Sequence, residues 1–240
     1  MLFSSDDVAQ FINSYFEPVW ESVRPVPIIR IDFGNGNVVT RTLHGNIATY
    51  VCGADGVVLD VLPGIYAPQQ YVDSLNQLRL LHAWTAWRGG KDRDAKLTEY
   101  HKRQEKALHD KKPAERFVHI MDMRKLQIES PIKLLASTDS TKSEMKMPES
   151  DAPKVRDSAN DAAREIARWP ILAEDTLINE TIRREQIHAK LATIGKVVPK
   201  DIEKWLYREV LHADLEDPYL GLGKTLFADY PFAAEDARVR

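Results

Sequence analysis

The spacing of apolar residues along the chain changes period several times, and each change marks an element. Val8, Phe11, Ile12, Tyr15 and Phe16 recur every three or four residues and give one apolar helical face. Ser4 or Ser5 is placed to cap that helix, Asp6 and Asp7 fall in its first turn, and Pro18 ends it. The β-branched run in PVPIIRIDF then leads into Gly34-Asn35-Gly36-Asn37, and NVVTRTL is the return strand. ATYVC and VVLDVL form a second strand pair across the tight-turn sequence Gly53-Ala54-Asp55-Gly56. Pro68 opens a helix carrying Tyr71, Val72, Leu75, Leu78 and Leu81, which Gly89-Gly90 stops or bends.

The pattern then turns polar. Between Arg88 and Arg116 there are ten Lys or Arg and six Asp or Glu. This reads as a solvated helix laced with i,i+4 pairs, and it lacks the aromatic platform of a nucleic-acid surface. Residues 127–157 are rich in Ser, Thr, Lys and Glu and include three prolines, a linker composition. Helical spacing resumes in DSANDAAREIARW, continues from about Glu174 to Ile194 with Gly195 as the stop, and returns after Pro199 on Ile202, Trp205, Leu206 and Val210. The expected organisation is an α/β domain over 1–87, a charged helical extension over 88–126, a flexible linker over 127–157 and a small α-helical domain over 158–240.

Composition narrows the function classes. The chain has 240 residues, 43% of them hydrophobic, enough to bury a core without disulfides. No apolar run approaches the roughly 20 residues that cross a bilayer, and the opening residues do not read as a signal peptide. Neither a membrane nor a nucleic-acid partner is expected, since the net charge of −3 sets up no global field for either. One cysteine, Cys52, allows no internal disulfide and fits a reducing, cytoplasmic setting.

The stretch ATYVCGADGVVLDVLPGIYAPQQYVDSL resembles the thioredoxin-like fold family, which sets a strand, a tight turn, a second strand, a glycine and a last helix in this order. The opening FSSDDVAQFINSYFEPV is similar to the helix that follows the active-site helix in many such proteins. The resemblance covers about residues 3–82 and implies a partial thioredoxin-like βαβ-hairpin-α unit, so the fold class is mixed α and β, α+β or α/β, with an all-α C-terminal region. The family's first strand and Cys-x-x-Cys helix would precede residue 1, and its cis-proline would fall near Ile47 or Ala48. None of the family's thiol-exchange residues carries over.

That absence makes a non-catalytic binding or scaffold protein the expected function, with a protein partner and no cofactor. The contact surface is expected on the hydrophobic strand edge and on Thr42, His44 and Asn46, next to the position where the family binds substrate. The alternative is a thiol-dependent oxidoreductase. It would use Cys52 with His44 as the activating neighbour, or a Cys-x-x-Cys upstream of this start. Taken alone, Cys52 in its strand reads as a small buried hydrophobe with an inert thiol. A third reading is a helical metal-binding protein. Glu185 with His188 and Glu209 with His212 are i,i+3 pairs, each able to clasp one ion from a single helix face. Gly221-Leu222-Gly223-Lys224-Thr225 lacks the first glycine of a phosphate-binding loop, because position 218 is Pro218.

Overall fold

A computed structural model gives the fold and describes residues 2–42, 47–87, 92–119, 132–135 and 170–223. The elements are α1 (Asp6–Tyr15), β1 (Ile28–Asp32), β2 (Val38–Thr42), β3 (Ala48–Cys52), β4 (Val58–Pro63), α2 (Pro68–Ala86) and α3 (Arg93–His109). They continue with β5 (Arg116–His119), β6 (Ile132–Leu135), α4 (Pro170–Ile178), a π-turn over Asn179–Arg183, α5 (Arg184–Ile194) and α6 (Pro199–Trp205), which runs into a second π-turn over Leu206–Val210. The strands form three separate antiparallel pairs, β1–β2, β3–β4 and β5–β6. Among the described residues no helix is long and apolar enough to cross a membrane.

The chain divides into two units, Met1–Val19 with Ile47–Asp201, and Trp20–Asn46 with Ile202–Arg240. Helix α5 packs against α3 and β4, and α4 and α5 both fall in the first unit.

In the first unit the β3–β4 hairpin closes as its sequence predicts. Gly53 N–H donates to Val57 O (2.9 Å), Asp55 Oδ1 accepts from Val57 N–H, and Gly56 takes a φ of 75° that favours glycine. Every residue of β4 is buried, including one carboxylate, Asp60. Helix α2 starts on Pro68 at its first turn and buries Tyr71, Leu75, Leu78 and Leu81, one helical stripe, against the hairpin.

The charged stretch departs from expectation. Helix α3 ends at His109, with Lys111 at a φ of 55° and Pro113 beyond it, and Arg116–His119 is strand rather than helix. Nor is α3 solvated all round, because Leu97, Tyr100, His101, Gln104 and Ala107 make a buried stripe. Gln104 fixes the turn that follows by exchanging hydrogen bonds with the Glu115 backbone (2.7 and 3.0 Å). Ile132–Leu135, inside the expected linker, pairs with β5, and alternate residues Ile132 and Leu134 enter the core beside Phe117. Four apolar-rich residues suffice for a strand when one face meets a preformed core.

In the second unit β1 and β2 pair from Ile28↔Thr42 to Asp32↔Val38. Asp32 Oδ1 accepts from Gly34 N–H and Asn35 Oδ1 from Asn37 N–H, and both turn glycines take positive φ. Ile202, Leu206, Val210 and Leu211 are buried in this unit. The Arg24 guanidinium binds the carbonyls of Leu215 (2.9 Å) and Asp217 and so holds the turn after the second π-turn.

Candidate functional site

Among the described residues, the sequence-predicted residues do not gather into one site. Cys52 ends β3, half-buried, and burial first, then the Asp55 charge, push its thiol pKa up. It is therefore held as the thiol at neutral pH. Thr42 is the last residue of β2, paired with Ile28, while His44 and Asn46 lie outside the described residues.

The two Glu-x-x-His pairs do not form the expected clasps. On α5, Glu185 turns to the rim and meets exposed His109 (3.2 Å), whereas His188 points into the core. Glu209 pairs with its neighbour Arg208 (2.9 Å). His212 lies beyond the last helical residue, exposed and with a φ of 53°, so Glu209 and His212 do not share a helix face. An i,i+3 spacing brings side chains together only where the helix continues and both face the same medium.

His188 instead joins a cluster in the first unit that links β4, α3 and α5. Its members are Asp60, Tyr100, His101, Arg184 and His188, all buried. Tyr100 Oη (2.8 Å) and Arg184 Nη2 (2.7 Å) both donate to Asp60 Oδ2, while Asp60 Oδ1 accepts from Val61 N–H (2.8 Å). Arg184 Nη2 also reaches His188 Nε2 (3.2 Å), and His188 Nδ1 faces His101 Nδ1 at 3.0 Å. The backbone of Leu59 bonds His101. Arginine has no acceptor, so His188 Nε2 is the bare nitrogen of its ring and the proton sits on Nδ1. His188 then donates to His101 Nδ1, which leaves His101 its own proton on Nε2.

The electrostatics follow from this wiring. Burial raises the Asp60 carboxyl, but Arg184 foremost, the two histidines and the Tyr100 hydrogen bond outweigh it and hold the group at about 2. Burial lowers His101 to about 4 against the pull of Asp60. Burial, with Arg184 and His101 adding to it, takes His188 well below the ordinary histidine value. At neutral pH the cluster is one ion pair, Asp60 with Arg184, beside two neutral imidazoles. A cavity of about 240 Å³ shares Tyr100 and Arg184 with the cluster and is also lined by Gln104, Arg116, Phe117 and Glu180.

Sequence reasoning missed Asp60, Tyr100, His101 and Arg184. The available signal was Asp60 itself, a lone acid in the otherwise apolar strand VLDVLP, which needs a buried cation or several donors to sit there.

The second surface feature is the β1–β2 hairpin. Among the described residues its strands pair only with each other. Ile29, Ile31 and Val39 share one face by strand alternation and register, with Ile31 directly opposite Val39. Ile31 is 46% exposed, and Phe33 and Trp20 in the same unit are 61% and 86% exposed.

No protein-family model matches the chain, and neither a curated protein nor a solved structure matches it.

Proposed function

We propose that the chain is a non-catalytic binding protein, with a thioredoxin-like N-terminal region, that takes an extended apolar segment of a protein partner along the β1–β2 hairpin. Exposed Ile31, directly opposite half-buried Val39, carries this reading, on a two-stranded sheet whose outer edges have no strand neighbour among the described residues. A lone two-stranded hairpin is marginal in water, and an open edge is a template for a further strand. A partner strand would supply main-chain hydrogen bonds for affinity and alternate apolar side chains for the Ile29, Ile31 and Val39 face. Thr42, His44 and Asn46, expected on the contact surface, follow or end β2 directly in sequence. The raised thiol pKa of Cys52 supports a reading without thiol exchange.

The test uses the full chain and synthetic ten-residue peptides that alternate Val or Ile with Thr or Lys, read by amide NMR shifts. The expected shifts concentrate in residues 28–42, and Ile31→Thr with Val39→Thr weakens binding by about tenfold while keeping β-branched strand formers. Peptide shifts outside the hairpin, or affinity unchanged in the double variant, would overturn the reading.

A further inference from the structure

We infer that Asp60, His101 and His188 form a binding site for one divalent first-row transition metal ion. Three observations carry this, and none depends on the β1–β2 hairpin. Asp60, His101 and His188 each offer a ligand atom, all within 4.8 Å of one another and all buried. The three residues come from a strand and two different helices, so the whole fold of the first unit sets their spacing. His101 and His188 turn the same kind of atom, Nδ1, toward each other at 3.0 Å.

The geometry narrows the ion. Two nitrogens bound at about 2.0–2.1 Å and 3.0 Å apart subtend roughly 90° at the metal. That is the cis angle of a six-coordinate centre and is narrower than the tetrahedral angle. Two imidazoles and one carboxylate suit iron, cobalt, nickel or manganese in that geometry, with zinc as a competent probe. Asp60 Oδ1 is the carboxylate oxygen toward His188 Nδ1 (4.0 Å), while Oδ2 stays bound to Tyr100 and Arg184. The Leu59 backbone also hydrogen-bonds His101, and a backbone partner of this kind orients metal-bound histidines.

Binding requires one rearrangement. The His188 proton must leave Nδ1, where the metal lone pair is needed, and be replaced by one on Nε2. There it would face the Arg184 Nη2 donor, now 3.2 Å away. Arg184 therefore gives up that contact and keeps its bond to Asp60 Oδ2 (2.7 Å).

The experiment incubates the purified full chain to equilibrium with Co²⁺ and, separately, Zn²⁺, and measures stoichiometry and affinity by competition with a chromophoric chelator. One ion per chain is expected, with X-ray absorption showing two imidazole nitrogens. His101→Asn and His188→Asn should each weaken binding by more than the 10- to 100-fold that loss of an outer hydrogen-bonding partner typically costs. His109→Asn and His212→Asn, at exposed histidines, should leave it unchanged. Should the buried variants fail to fold, the wild type decides: its His101 and His188 ring ¹⁵N signals must move on adding Zn²⁺. No binding, binding unaltered in His101→Asn and His188→Asn, or unmoved ring signals would each overturn the inference.

Discussion

Asp60 keeps its charge inside the core because two donors reach one oxygen and a backbone amide reaches the other. Removing the cation alone strands that charge. Arg184→Met should lower stability by about 3–5 kcal/mol, the usual cost of breaking a buried ion pair from one side, measured by urea unfolding. Tyr100→Phe removes a single hydrogen bond to a charged group and should cost about 1.5–3 kcal/mol. A smaller loss for Arg184→Met than for Tyr100→Phe would contradict the wiring. The pH dependence has a definite sign. His101 protonates near 6.5 when unfolded and near 4 when folded, so between those values the unfolded chain binds more protons. Stability of the metal-free protein should fall as pH drops through that window and be independent of His101 above it. Asp60 acts lower, since its pairing stabilises above 3.8 and is lost as pH falls toward about 2. Urea midpoints at pH 7, 5.5 and 4.5 should descend in that order, and a rise on acidification would contradict the neutral-histidine assignment.

At the scale of elements, the hairpins, the start of α2 and the face of α1 were legible because each is written locally, in a helix-opening proline, turn glycines and apolar spacing. The cluster was not. Asp60 meets Tyr100 across 40 positions and Arg184 across 124, and no local pattern links them. His188 stood out beside Glu185, but the helix turns one to the core and the other to His109. The short strand β6 was hidden by the polar residues around it. Its place in the core makes a sharp prediction: Leu134→Ala should cost about 2–5 kcal/mol, where a linker position would change stability by within about 0.5 kcal/mol. The π-turn before α5 is tied down by Asn179, whose Nδ2 donates to Ile65 O (2.8 Å) beside Gly64 at a φ of 76°. A Cβ at Gly64 would come within 2.9 Å of the Asn179 amide. Gly64→Ala should therefore lose more than the roughly 1–2 kcal/mol of the left-handed backbone alone, again read by urea unfolding.

For the molecule as a whole, the two units differ in what they leave open. The first gathers α1, the β3–β4 hairpin, α2, α3 and the β5–β6 pair around one apolar core. The second leaves Ile31 of the β1–β2 apolar face exposed, with Ile29 and Val39 half-buried beside it. The sequence marked this hairpin as a strand pair but not as an exposed one, because a run such as PIIRIDF reads the same whether its face meets a core or a partner. Cys52 gives an independent check on the non-catalytic reading: its alkylation at neutral pH should be slow and should accelerate under denaturant, as for a thiol whose pKa is raised by burial. The most direct measurement is amide hydrogen exchange across residues 28–42 of the full chain, alone and with a strand-forming peptide present. The account predicts fast exchange at the outward-facing amides of β1 and β2 alone, and protection of one strand's outer amides when the peptide binds. Full protection without any peptide, or no change on its addition, would contradict it.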